Sequence, residues 1–476
     1  MVRFLFRLSP NYLEAVSYQE GFQALTEGDF KSAVVLLEKA ARDTGYTSDL
    51  INHAYTLALY RAGQKSQLAD ASFQIANSLL QTDPASAMDY FQRAIFAGLD
   101  PQRIRRIGEI FEEWAVPAQS VSVDGPVDRV AHVVGSLHAG SPQTRYIRML
   151  ASSLKRQGIQ SAIFTTEWAA SWFFNAAGKA HSEQVEIEAS TNIASVEGDF
   201  IERAGRIAEV IKASGIKMAF FHASLGEQIT ARVAAMRPAP VQVHVNHGTE
   251  MDADLFDGLV HLSQNAMAGS RFPSHPAEWI PPSSDIETRL QTVEPVTRQG
   301  MGLESASTVS ATFGNLDGLA GGYLKALAEI LKRFPKHFHL FAGEGNVRAF
   351  RGVLHSEGVL PRVRFLGQVS DVAPLLDTVD VYLASFPRLG AHSIIEAMGA
   401  GKPVVALRAA GAEFVAVQEL IAPGEGGYVE IADRLLRNPA LRQKQGQAMR
   451  DRFRAEFRPE RLGERYAQFI AALAAR

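Results

Sequence analysis

An all-α segment followed by two α/β halves in series is the architecture this sequence predicts, on three observations. Residues 12 to about 115 carry apolar residues at helical spacing, with short breaks and few β-branched runs. From residue 129 onward, short strand-like runs such as RVAHVV (129–134), VQVHVN (241–246) and HFHLFA (337–342) alternate with amphipathic stretches. That alternation is the pattern of parallel strands buried on both faces and joined by crossover helices. The third observation is a break: residues 280–306 hold two adjacent prolines and scattered polar residues between two such series. A length of 476 residues suits several separate cores, at roughly 100–200 residues per domain.

In the first segment, GFQALTEGDFKSAVVLLEKA (21–40) places Gly21, Ala24, Gly28, Phe30, Ala33, Leu37 and Ala40 where a tetratricopeptide repeat wants its small and large packing residues. The pattern returns near Gly63 and in ASAMDYFQRAIFAGLDP (85–101), with Ala87, Phe91, Ala94 and Pro101, at imperfect spacing. The expected unit is a TPR-like helical domain over 1–118, and such a module usually holds another protein or its own neighbour. VPAQSVSVDGPVD (116–128) reads as a linker.

The first α/β half is expected over 127–295. Its strand RVAHVVGSL (129–137) is followed by the turn HAGSPQ, the helix TRYIRMLASSLKRQG and the strand QSAIFTT. A helix DFIERAGRIAEVIKASG, strand KMAFFHA, helix EQITARVAAM and strand VQVHVN follow, closing in the turn HGTEMD. The second half, over 306–455, starts at STVSATFG (307–314). It continues with helix GGYLKALAEILKRFP, strand HFHLFAG, a short helix around 346–357, strand VRFLG, helix VAPLLDTV and strand DVYLAS. Both halves read as Rossmann-like. The tail RPERLGERYAQFIAALAAR has apolar residues at helical spacing and is expected, over 456–476, to cross back onto the first half.

Composition narrows the function classes. Hydrophobic content of 46%, charged content of 21% and a net charge of −3 describe an ordinary globular chain with no global attraction to nucleic acid or anionic membrane. Zero cysteine excludes disulfides, thiolate nucleophiles and Cys-ligated zinc, and it fits a reducing compartment. The start MVRFLFRL is interrupted by Asn11 and Glu14 too soon for a signal peptide, and no run approaches 18 apolar residues, so a cytoplasmic protein is expected.

GAHSIIEAMGAGKPVVAL (390–407) carries the most chemistry. Gly390 lets the backbone turn, and His392 and Ser393 can cap the following helix, whose N–H groups and dipole attract a diphosphate. Glu396 falls one turn inside, placed to accept hydrogen bonds from two ribose hydroxyls, and Gly399, Gly401 and Pro403 end the helix before VVAL re-enters a sheet. The plain alternative is an ordinary helix-to-strand joint.

With these blocks in view, the chain resembles the GT-B glycosyltransferases, and more narrowly the family of O-linked N-acetylglucosamine transferases and bacterial adhesin N-glycosyltransferases. The resemblance rests on RPAPVQVHVNHGTEMDADLFDG (237–258), FGNLDGL followed by AEILKRFPKHFHLFAG (313–343), and DVYLASFPRLGAHSIIEAMGAGKPVV (380–405). It implies two Rossmann-like domains facing a cleft behind helical repeats. It puts His392 and Ser393 on the diphosphate, Glu396 on the ribose and Asn315 near the phosphates. The turn of Gln368, Val369 and Asp371 falls where backbone groups read the base. On the acceptor side it points to His247, Thr249 and Glu250, with His247 or Glu250 handling the acceptor proton, and to His138 and Ser141 in the first βα turn. DAD at 252–254 mimics a metal-binding motif, but the resemblance implies no metal and no tightly bound cofactor, only a UDP-sugar as donor substrate.

Two positions depart from the family pattern. Gly318 stands where the family has a lysine for the leaving diphosphate, and Arg388 stands where retaining relatives have a glutamate. Arg388 can pair bidentately with phosphate oxygens in that lysine's place, with Arg298 a weaker candidate. The resulting expectation is a cytoplasmic, metal-independent, inverting hexosyltransferase that moves a hexose or N-acetylhexosamine from a nucleotide diphosphate to a protein side chain presented by the helical repeats. The alternatives are a catalytically inactive adaptor or chaperone subunit, and an enzyme making lipid-linked or small-molecule glycosides, for which AASWFFNAAG (169–178) is the suggestive apolar patch.

Overall fold

The computed structural model describes residues 16–117, 125–137, 142–166, 190–195, 199–304, 307–314, 316, 319, 321–343, 345, 347–387, 390–408, 412–415 and 417–476. Six helices come first: Val16–Glu27, Phe30–Asp43, Asp49–Arg61, Lys65–Leu79, Pro84–Phe96 and Pro101–Glu113. Asp29, Asp83 and Asp100 cap three of them by accepting from first-turn backbone N–H groups, and proline at the first turn sets the start of the last two. Gly28, Gly63 and Gly98 adopt positive φ at the ends of helices, the left-handed stop that glycine permits. This helical domain is present as the sequence leads one to expect.

Two parallel sheets follow. The first contains β1 (Arg129–Val134), β2 (Gln160–Thr165), β3 (Ser190–Ser195), β4 (Met218–Phe221), β5 (Val241–Asn246), β6 (Gly258–His261) and β7 (Ala277–Trp279), in the order β3-β2-β1-β4-β5-β6-β7. The second contains β8 (Thr308–Phe313), β9 (His337–Ala342), β10 (Val363–Phe365), β11 (Val381–Leu383), β12 (Val404–Leu407) and β13 (Ile421–Ala422), in the order β10-β9-β8-β11-β12-β13. Every ladder in both sheets is parallel. Parallel pairing requires crossover helices on both faces, which is why β1, β5 and β9 are buried along nearly their whole length, their His, Gln and Asn residues included. The order reverses between β1 and β4 and again between β8 and β11, so each half opens a crevice at the carboxyl ends of those strands.

Two sequence expectations change. The stretch 280–306 is more than a passage, because it contains the helix Ile286–Thr292, and Ile286 is fully buried in the second half's core. The helical domain is also docked rather than merely linked. Its apolar residues share one continuous core with Ala131, Phe164, Phe200 and Ile207 of the first half, and Val116 N donates to Ala235 O at 2.8 Å. At Gly108 a Cβ would overlap the carbonyl oxygen of Asp252, so helix and loop approach backbone to backbone. Arg105, held by Glu112, also donates to that carbonyl at 3.1 Å.

The last helix, Pro459–Ala474, packs on helix Pro142–Arg156 of the first half, where Tyr146 and Tyr466 share a hydroxyl hydrogen bond of 2.7 Å. The chain therefore crosses between the halves twice, and the two crossings touch where Ser284 N donates to Phe457 O at 3.0 Å. Among the described residues no helix is long and apolar enough to cross a membrane.

Candidate active site

The crevice of the second half is built by close backbone approach. Strand β8 ends at Phe313 and turns at Gly314, φ +124°, against Gly343, φ +147°, where any Cβ would overlap the Gly314 carbonyl. Across the order reversal, helix Ala391–Gly399 starts from Gly390 with Ser393 beneath the Gly314 turn. The helix start lacks a side-chain cap, so the expected capping by His392 and Ser393 does not occur. Both lie inside the first turn instead, ahead of the first intrahelical bond, Ile394 N to Gly390 O. Their backbone N–H groups and the helix dipole point into the crevice.

Glu396 sits one turn further on, 2% exposed. Burial alone would raise its pKa, but His392 and Arg289 outweigh that and hold it at about 2. Arg289 Nη2 donates to Glu396 Oε1 and to Ser284 Oγ at 3.3 Å, Nη1 donates to Asp371 Oδ1, and Nε donates to Asp285 Oδ1 at 2.8 Å. His392 Nε2 lies 3.3 Å from the same carboxylate oxygen, an electrostatic contact without hydrogen-bond alignment. One guanidinium from helix Ile286–Thr292 thus gathers the residue expected to hold the ribose and the turn expected to read the base. In that turn Gln368 is exposed, Val369 is half-buried and Asp371 also accepts from Ala373 N at 2.9 Å.

Facing this wall is helix Pro142–Arg156 of the first half. Its apolar side, with Ile147, Leu150, Ala151 and Leu154, enters the core, while Arg145, Arg148, Ser152 and Arg156 lie at three- and four-residue spacing along the other side. These residues, with Asp285, Arg289, Ser370, Asp371 and His392, line a 490 Å³ pocket between the halves. Arg145 reaches within 4.0 Å of Glu396 across it. Four arginines against two aspartates give the pocket an attraction for a multiply charged anion.

The acceptor-side residues form a second group. His247, after β5, has its Nε2 3.0 Å from His222 Nδ1; His222 Nε2 is 3.0 Å from His132 Nδ1; His132 Nε2 is 3.3 Å from Ser161 Oγ. Tyr146, beside Arg145, packs edge-on against the His247 ring at 5.0 Å between centroids. His247 is exposed by area at the cleft, yet loss of solvent around its imidazole pulls the pKa down to about 4, and burial takes His132 to about 3 and His222 well below the usual value. Thr249 is exposed. Glu250 does not stand free beside His247, because its carboxylate accepts from Ser270 Oγ at 2.5 Å and Arg271 N at 2.9 Å.

Three other expectations are placed by the fold. Arg298 donates to Ser307 O and Thr378 O and pairs with Asp380, which fixes the entry to β8 rather than facing the cleft. Asp252 and Asp254 of the DAD motif pair with Arg271 and His275, each at 3.0 Å, beside the docked helical domain. Asn315, Arg388, His138, Ser141 and Gly318, and the patch 169–178, lie outside the described residues. The sequence reading missed Arg145, Arg148, Arg289, His132 and His222. It also missed Glu227, whose carboxyl, pressed against Gly135, is pushed up to about 7 by burial despite a hydrogen bond from Thr230. Only Arg145 and Arg148 left a signal, their spacing along an otherwise ordinary amphipathic helix.

Known proteins share this fold. Residues 313–438 match the family described as Glycosyl transferases group 1. An O-GlcNAc transferase mutant from Thermobaculum terrenum superposes with a TM-score of 0.58 at 18% identity, covering 96% of this chain and 91% of that one. Anabaena HepE, solved in complex with UDP, gives 0.55 at 16% identity over 72% of this chain and 100% of that chain. A sucrose-phosphate synthase from Thermosynechococcus elongatus gives 0.52 at 18% identity over 73% and 99%. A comparison of the sequence with curated proteins gave no match. The fold is GT-B: two Rossmann-like domains facing a cleft, with a helical domain in front.

Proposed function

We propose that this chain is a glycosyltransferase that moves a hexose or N-acetylhexosamine from UDP to a protein side chain, without a metal and with inversion at the anomeric carbon. The observation that carries the reading is the cleft pocket itself: a buried carboxylate, Glu396, one turn inside a helix that starts at the order reversal, opposite an arginine-lined wall. The carboxylate suits a ribose, and Arg145, Arg148 and the first-turn N–H groups suit the diphosphate, whose β-phosphate gains charge as the sugar leaves. Arginines supply what a metal or the family lysine would supply elsewhere. The likeness to a UDP-bound structure supports the nucleotide, and the likeness to an O-GlcNAc transferase over nearly the whole chain supports a polypeptide acceptor held by TPR-like helices. The absence of cysteine suits work in the cytoplasm.

One observation favours the adaptor reading. Arg289 already occupies both Glu396 and Asp371, so a nucleotide must share or displace it. Calorimetric titration with UDP, GDP and ADP separates the two. Saturable UDP binding that Arg148→Ala weakens by about 1.5–3 kcal/mol, the scale of a hydrogen bond to a charged group, supports a working donor site. A folded protein that binds none of the three nucleotides fits the adaptor.

A further inference from the structure

The sequence reading offered His247 as one of two groups to take the acceptor's proton, and the side chains behind it argue otherwise. Burial keeps His132 and His222 neutral at pH 7, and loss of solvent around its imidazole does the same for His247 at the cleft, so each imidazole carries one N–H. The three are joined by two N···N hydrogen bonds of 3.0 Å, and each such bond needs one proton: two would collide and none would set lone pairs against each other. Two of the three protons are thereby assigned. The third rests at one end of the chain, either on His132 Nε2, facing Ser161, or on His247 Nδ1, the nitrogen not bound to His222.

Ser161 decides between them. Its hydroxyl is fully buried on β2, and His132 Nε2 is its hydrogen-bond partner among the described residues. If His132 donated, the serine's own proton would be left in the core without an acceptor, at a cost of about 1–3 kcal/mol. If the serine donates, every group is satisfied: Ser161 Oγ–H to His132 Nε2, His132 Nδ1–H to His222 Nε2, His222 Nδ1–H to His247 Nε2. The remaining proton is then on His247 Nδ1, where solvent or a ligand can accept it.

We propose that Ser161, His132 and His222 are positioning residues that hold His247 as its Nδ1–H tautomer, so that His247 donates a hydrogen bond to a substrate oxygen instead of removing a proton from the acceptor. The role at substrate rests on the glycosyltransferase reading; the tautomer does not. It is tested in the ligand-free protein by nitrogen-detected NMR with 15N-labelled histidine, the His247 signals being assigned by their loss in His247→Gln. The expected spectrum shows a protonated Nδ1 and a bare Nε2 at neutral pH, and in Ser161→Ala the opposite tautomer appears beside it because the fixed end of the chain is gone. A bare Nδ1 in the natural protein, or an unchanged tautomer in Ser161→Ala, overturns the proposal. UDP titration of the same samples reports separately on the donor site. With a UDP-sugar that is turned over, His247→Gln keeps a donor and loses less than about tenfold in rate; a loss of about 10²–10⁴-fold, the range of general base catalysis, also overturns it.

Discussion

The two walls of the cleft reach their charge states by opposite means. The first half's wall carries arginines along helix Pro142–Arg156 and imidazoles kept neutral by burial. The second half's wall carries a buried carboxylate, Glu396, kept ionised by His392 and Arg289, and Arg289 pairs in addition with Asp285 and Asp371. Desolvation acts on both, and only in the second is a counter-charge close enough to reverse its effect. An anion is thus drawn to one wall while hydroxyl groups find acceptors on the other, a division that suits the two ends of a nucleoside diphosphate.

The largest test of that contrast is Arg289→Ala. It leaves Glu396 buried beside His392 without its guanidinium partner, and removing one partner of a buried ion pair typically costs about 3–5 kcal/mol. Urea unfolding is expected to show that loss in the second half, whereas Arg148→Ala on the opposite wall leaves stability nearly unchanged.

Acidification breaks the walls in sequence. For a histidine whose folded pKa is depressed, stability is fully present above its unfolded value near 6.5 and is lost as pH falls toward the folded value, here about 3 for His132 and about 4 for His247. Glu396 is also depressed, from 4.5 to about 2, so its contribution of about 3 kcal/mol holds above pH 4.5 and fades only below it. Buried His337 of the second half, held at about 3, adds to the first loss. The unfolding midpoint should therefore begin to fall below pH 6.5, and Arg289→Ala should shrink the additional drop below 4.5. A midpoint flat from pH 7 to 5 would contradict the first part.

Smaller changes test how each wall is anchored. Gly108→Ala drives a methyl into the Asp252 carbonyl and should lower stability by about 1–3 kcal/mol through the shared core of the helical domain and first half. Calorimetry should show both shifting together, and a helical domain that melts alone would break that link. Tyr146→Phe deletes the hydrogen bond to Tyr466 and should cost about 1 kcal/mol, read as earlier proteolysis of the last helix.

The fold was legible because short strand-like runs such as RVAHVV, VQVHVN and HFHLFA alternate regularly with amphipathic helical stretches, the trace of a doubly wound parallel sheet. Strands β3, β6, β7 and β13 were not read, the last three being only four, three and two residues long and lacking any period. At the site, Glu396 announced itself by its place after a glycine turn. Arg289 could not, because the contacts that give it meaning join residues 82 and 107 positions away, and IETRLQT between prolines looks like a spacer. The histidine chain was hidden for the same reason: His132, His222 and His247 become neighbours only when β1, β4 and β5 are laid side by side.

The double crossing bears on the order in which the protein can be made. Residues 286–457 contain a complete core of their own, so the second half can close as soon as Phe457 has left the ribosome. The first half, although translated earlier, lacks Leu462, Tyr466, Phe469, Ile470 and Leu473, which cover its outer face and press against Gly258 at the start of β6. Until helix Pro459–Ala474 is synthesised, that face stays open beside a finished neighbour, and the half that begins first is the last to be sealed.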